Sequence, residues 1–254
     1  MRPEWRIVGL AFLGAALLFA PGCFRRKKKD PNLLSSRDAT TDEERFRRGY
    51  AMDEARKGWN AIEKGSKDTA INHFERAVRL DPAEPVYPLT IGQLYLELDR
   101  LDRAEGALQA ALRALKAIHP ETPADIAAHR SIQAEVHLAS GDLLRKRGLA
   151  SEAISAYQLA VEAAPGMARA HFELGNLFLE RQRPAAAVGR FREALRIDPS
   201  MLRAQVGLVI AYHLGGENAL AWREIQELER KGFDVNTELR ENVRRATNAP
   251  PNFG

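Results

Sequence analysis

The chain has 254 residues, 38 of them Lys or Arg and 34 Asp or Glu, with an apolar fraction of 45% and one cysteine. That length allows one or two domains with a buried core, and a lone cysteine excludes a disulfide framework and a thiolate zinc site, each of which needs several sulfurs. Seven of the basic and two of the acidic residues fall within residues 1–30, so the rest of the chain sits at a net charge of −1; without a concentrated cationic face, nucleic acid is not an expected partner.

At the start of the chain, Arg2 and Arg6 precede an uncharged run of 14 residues from Ile7 to Ala20. This is the length of a secretory apolar segment and falls short of the ~20 residues a spanning helix needs. Cys23 follows directly, behind Gly22. The arrangement resembles a bacterial lipoprotein signal, in which a small residue precedes a cysteine that is lipidated and becomes the mature N-terminus. That resemblance implies a signal over 1–22, a palmitate-type lipid on Cys23 and a periplasmic body. Two other readings stay open. Counting through Phe24 gives 18 residues, enough to span if uncleaved; Arg25, Arg26, Lys27, Lys28 and Lys29 would then hold the body in the cytoplasm behind a single-pass inner-membrane anchor. An ordinary cleaved signal is the third. The same basic run can meet anionic headgroups, at about 1 kcal/mol per charge near the surface. Residues 23–41 form a basic, then polar, juxtamembrane tether, whose aperiodic stretch from Asp30 to Thr41 reaches on the order of 20 Å if flexible.

Thr41 and Glu44 fit a capping box that opens a helix running to about Lys64. Beyond it the chain repeats. The segment from His137 to Pro165 aligns without gaps on the segment from His171 to Pro199, at an offset of 34, pairing Gly141 with Gly175, Ala153 with Ala187, Tyr157 with Phe191 and Ala160 with Ala194. The frame recurs as Gly58, Ala70, Phe74, Ala77 and Pro82, as Gly92, Ala104, Leu108 and Ala111, and as Leu208, Tyr212, Ala221, Ile225 and Leu228. Gly in mid-helix costs about 1 kcal/mol relative to Ala, and at these positions it lets a paired helix approach. The residue before each closing Pro leaves the α region and stops the second helix.

This pattern resembles the tetratricopeptide repeat, a helix–turn–helix unit of 34 residues. The resemblance implies an all-α fold: a right-handed superhelical array, or α-solenoid, of about five units and a C-terminal capping helix. The units fall at 51–84, 85–118, 134–167, 168–201 and 202–235, within a domain spanning 42–247, ahead of a tail at 248–254. Residues His119 to Gln133 interrupt the frame, with a turn at Pro120–Pro123 and an extra lead-in to the next helix. The fifth unit departs from the pattern, with Val209 in place of Gly and Phe233 in place of Pro. Thr237 to about Ala246 is expected to form the closing helix.

In this family the inner groove is lined by one stripe of each first helix. The frame assigns to it Met52, Trp59 and Ile62; Leu89, Gln93 and Leu96; Leu138, Asp142 and Arg145; Phe172, Asn176 and Leu179; and Val206, Ile210 and His213. The stripe is largely apolar and suits a peptide or helix with hydrophobic anchors, although a register off by one would turn part of it into core. Family members that bind chaperone C-termini do so through Lys and Asn of the first unit; Ala55 and Trp59 stand there instead. His137 and His171 occupy a packing position, no HExxH spacing is present, and Gly215-Gly216 lacks the Lys and strand of a phosphate loop. Neither a metal nor a cofactor is expected, nor catalysis.

Together these features point to a non-catalytic, membrane-anchored protein–protein interaction scaffold of the bacterial cell envelope, such as an assembly factor or pilotin-like protein. The alternative is a cytoplasm-facing regulatory or tethering subunit of a membrane enzyme complex.

Overall fold

In the computed structural model the described residues are 36–248, with side chains described for 42–247. The chain divides into two compact units, Met1–Glu44 and Arg45–Gly254. Residues 36–44, the described part of the first, are helical. The second is built of helices alone among the described residues: α1 (Ser36–Glu63, entering from the first unit), α2 (Lys67–Leu80), α3 (Val86–Glu97), α4 (Leu101–Ala117), α5 (Pro123–Lys146), α6 (Ala150–Ala163), α7 (Ala168–Glu180), α8 (Pro184–Ile197), α9 (Leu202–Leu214), α10 (Asn218–Arg230) and α11 (Thr237–Asn248). They form the tetratricopeptide α-solenoid, in which each helix packs on the next in sequence from α2 onward.

The even-numbered helices α2 to α10 bury one narrow stripe. Ala70, Phe74 and Ala77 of α2 recur as Ala104, Leu108 and Ala111, as Ala153, Tyr157 and Ala160, as Ala187, Phe191 and Ala194, and as Ala221, Ile225 and Leu228. The i, i+4, i+7 spacing places each trio on one helix face. Phe74, Leu108, Tyr157 and Phe191 each fill the space over a glycine of the preceding helix, whereas Ile225 has Val209 at the matching position. A Cβ on Gly141 would lie 2.4 Å from the Tyr157 ring, and one on Gly175 2.6 Å from Phe191. Phe191 also covers Gly207, at 2.7 Å, so it closes the joint between two successive pairs.

Five turns join the helices within pairs, and they share one geometry. Gly65, Asp99, Gly148, Gln182 and Gly216 all have positive φ, between 55° and 80°. At each, two backbone hydrogen bonds close the end of the first helix, as in Gly65 N to Ile62 O and Ser66 N to Ala61 O, both 2.8 Å. Second helices α2, α6 and α8 end at Asp81, Ala164 and Asp198, whose ψ of 86°, 90° and 91° lies outside the α region that a following proline disfavours. Helix α10 has no such proline. It closes instead through Gly232, at φ 83°, with Phe233 N donating to Leu228 O at 3.0 Å.

One expectation about a helix start is corrected, and the turn and lead-in expected before the third unit are present. Helix α1 begins at Ser36, so Thr41 lies inside it rather than capping it. The interruption after α4 is a loop of five residues and then three added turns on α5. Thr122 caps that helix: its Oγ1 accepts from Asp125 N at 3.1 Å, and the Asp125 carboxylate accepts from Thr122 N at 3.2 Å.

Helix α5 also divides the interior. Val136, Ala139 and Leu143 belong to a core shared with α1–α4, whereas Leu138 belongs to one shared with α6–α11. Among first helices, α5 approaches α3 closely and α7 approaches α9, while α5 and α7 stand further apart. The array closes on α11, whose Val243 is fully buried.

Candidate functional site

The positions assigned to the groove do not share one environment. Leu89 and Leu138 are each 2% exposed and Leu96 6%, so they are core residues that offer no surface to a partner. On α3 the reason is the close approach of α5: Val136, Ala139 and Leu143 pack into the same cluster as Leu89 and Leu96. Met52 is widely exposed, while Trp59 and Ile62 are half-buried, with the Trp59 ring edge-on to Phe74 at 5.0 Å. Gln93, Phe172, Asn176, Leu179, Val206, Ile210 and His213 are half-buried as well. Phe172 is not a free anchor, because its ring lies 5.9 Å from Phe191 and rests on the core. His213 is held by Asn218, its Nδ1 lying 2.6 Å from Oδ1.

Beyond Met52, Trp59 and Ile62 of α1, the open part of the stripe runs over α5, α7 and α9. Its centre, at the wider seam between α5 and α7, is charged. Asp142 accepts from the Tyr157 hydroxyl at 2.7 Å through one oxygen and from Arg169 Nη2 at 2.6 Å through the other. Arg145 lies beside the Tyr157 hydroxyl and 3.8 Å from Glu173 Oε2, within ion-pair reach but too far for a hydrogen bond. Burial and the nearby Asp142 carboxylate push the Tyr157 hydroxyl far up. Glu173 is 8% exposed, and its Oε2 is closed off from solvent without a hydrogen-bond partner. Burial pushes its carboxyl up, Asp142 adds to that, and Arg145 and Arg169 pull part of the way back. Glu135 behaves alike: burial raises it, with Arg169 opposing and Asp142 reinforcing.

The sequence marked Asp142 and Arg145 but missed Glu135, Arg169 and Glu173. Arg169 stands 34 residues after Glu135, so a search for charged pairs at the repeat spacing would have drawn attention to this seam. Of the position-four histidines, His171 is buried, its Nε2 lying 3.2 Å from Pro165 O, and burial pushes the half-buried His137 imidazole down. Among the described residues no group of three or more His, Cys, Asp and Glu is placed to hold a metal ion. A separate cavity of about 530 Å³ opens between α1 and α2 beside Tyr50, Glu54 and Arg79. There hydrogen bonds from Lys57 and His73 hold the Glu54 carboxyl down to about 2. Cys23 and the Arg25–Lys29 run lie outside the described residues.

The tetratricopeptide repeat family model matches residues 56–117, 89–168, 138–202 and 172–231, more than half of the chain, which therefore belongs to that family. Among solved structures the fold is similar to that of Pseudomonas aeruginosa PilF, at 16% identity and a TM-score of 0.62 over 79% of this chain and 90% of that one. It is also similar to MamA, at 18% identity and a TM-score of 0.52 over 75% and 94%. A third is YrrB, a tetratricopeptide repeat protein with an unusual peptide-binding site, at 16% identity and a TM-score of 0.55 over 82% and 97%. At these identities the likeness is one of fold. No curated protein matches the chain. Proteins of this fold are generally protein-interaction scaffolds and are typically non-catalytic.

Proposed function

We propose that the protein is a non-catalytic interaction scaffold of the bacterial envelope, attached to the membrane through a lipid on Cys23, with its helical array in the periplasm. The observation that carries the scaffold reading is the half-open stripe over α7 and α9, where Phe172, Asn176, Leu179, Val206 and Ile210 offer apolar contact beside polar groups. A groove of this kind takes an extended segment or a helix of a partner, and the peptide-binding site of YrrB, on the same fold, supports that use. Among the described residues no helix is long and apolar enough to cross a membrane, so on this reading attachment falls to the apolar run before Cys23. Replacing Cys23 by Ser tests the anchor: the variant is expected to leave the membrane fraction and to lose the mass of the lipid. A Cys23→Ser protein that stays embedded with its full N-terminus would instead favour the uncleaved anchor.

That second reading draws on the basic run Arg25–Lys29, which suits a stop-transfer flank and makes the body a cytoplasmic regulatory or tethering subunit. Reporter fusions after Gly254 separate the two. Activity of a periplasm-dependent reporter is expected on the first reading, and activity of a cytoplasm-dependent reporter overturns it.

A further inference from the structure

The seam between α5 and α7 has one carboxylate more than it has guanidiniums. It holds three carboxylates, on Glu135, Asp142 and Glu173, and two guanidiniums, on Arg145 and Arg169. Arg169 is committed to Asp142, to which it donates at 2.6 Å, and Arg145 lies beside the Tyr157 hydroxyl that itself donates to Asp142. Glu173 Oε2 has no hydrogen bond, with Arg145 no nearer than 3.8 Å. A buried carboxylate left short of donors is costly, and a well-placed cation removes that cost.

We propose that this seam receives a lysine or arginine side chain from the segment bound in the groove, which completes the ion pairs of Glu135 and Glu173. The inference rests on the groove being the partner site and adds the chemistry of one contact. Charge complementarity selects the occupant. An acidic side chain would add a fourth negative group to a site where the carboxylates already exceed the cations, and an apolar one would leave Oε2 unsatisfied. Entry requires Arg145 to move aside. Its side chain is 41% exposed and makes no hydrogen bond to Glu173, so it can swing toward solvent. Apolar contacts on α9, at Val206 and Ile210, would hold the residues that flank the cation.

The test presents the full chain, in detergent micelles, to a random dodecapeptide library displayed on phage. Recovered peptides are synthesised with a fluorescent label and titrated by anisotropy. They are expected to share a Lys or Arg whose replacement by norleucine weakens binding at least tenfold. That loss should vanish on the Glu135→Gln/Glu173→Gln protein, and Arg145→Gln, which removes the internal competitor, should tighten binding severalfold. Circular dichroism and melting confirm that each variant is folded, and the norleucine comparison on the unmodified protein needs no variant at all. Peptides that lose binding on Ile210→Ala yet tolerate norleucine overturn the cationic contact and leave the groove standing. So do peptides that carry Asp or Glu at that position and fail on Arg145→Gln. Recovery of no peptide, or of peptides indifferent to Ile210→Ala, overturns the groove reading and this inference with it.

Discussion

Helices α3 and α7 hold the same place in the repeat, and they are built for different ends. Nine of the twelve residues of α3 are buried, and its groove positions Leu89 and Leu96 are covered by α5. On α7 the matching Phe172 and Leu179 stay half-open. The contrast is sharpest at one position. Thr90 of α3 is buried with its hydroxyl satisfied, donating to Val86 O at 2.8 Å. Glu173, its counterpart on α7, is buried with one oxygen unsatisfied. A repeat frame thus fixes where a side chain starts, while the spacing of neighbouring first helices decides whether it becomes core or contact. Helix α3 spends most of its inner stripe on stability, and α7 keeps part of its own for a partner.

The largest expected effect tests that division directly. Leu89→Ala removes a fully buried side chain and should cost about 2–5 kcal/mol. Phe172→Ala loses a half-buried ring and its contact with Phe191, for about 1–2 kcal/mol. Urea denaturation of both variants measures the difference. Equal losses would mean that α7 is as closed as α3, and the half-open stripe would not be a groove.

A second difference lies in what fills the space over each helical glycine. In the first half the filler over Gly92 is Leu108, whose Cδ2 would lie 2.7 Å from an added Cβ. In the second half the filler over Gly141 is the Tyr157 ring, 2.4 Å away and held at its hydroxyl by Asp142. A leucine terminus can rotate, and a tethered ring cannot. Gly141→Ala should therefore cost about 1–3 kcal/mol by overpacking. Gly92→Ala should cost less, because the Leu108 side chain, although its Cγ would also lie 2.9 Å away, can shift more readily than a tethered ring. Melting temperatures for the two variants check this, and a larger loss for Gly92→Ala would reverse the comparison.

The repeat itself was legible because its signals are local and recur: a glycine in the first helix, Ala–aromatic–Ala in the second, a proline after it. Pro120 and Pro123 likewise marked the interruption before α5. What the sequence concealed depends on distances between elements. Nothing in Leu89 or Leu138 says that a neighbouring helix covers it, and Phe172 reads as a free anchor until its ring is placed against Phe191. The turn residues are a different case. Gly65, Asp99, Gly148, Gln182 and Gly216 hold one left-handed site, yet Asp and Gln stand at two of the five, so a search for glycine alone misses the rule. Glu173 was passed over because its counterparts at the same repeat position, Arg56, Thr90, Ala139 and Gly207, share no chemistry with it.

The smallest effect concerns that residue and depends on pH. Burial raises the Glu173 carboxyl above its ordinary value of 4.5. Below that value the group is protonated in both the folded and the unfolded chain, and replacing it by Gln should change little. As pH rises past 4.5, the unfolded chain releases its proton first while the folded chain still holds it. Folding then binds a proton, and stability falls with pH through the window up to the raised folded value. Glu173→Gln lacks this loss. The variant should melt at the same temperature as the parent near pH 3.5 and at a higher one at pH 7, by a few degrees at most. Thr90→Val, at the same position of α3, should shift melting equally at both pH values, since it removes a neutral hydrogen bond. If Glu173→Gln instead lowers the melting temperature at pH 7, Arg145 and Arg169 already satisfy the carboxylate, and the seam has no cation to recruit. Binding and folding would then make the same demand on α7, and the contrast with α3 would reduce to one of exposure.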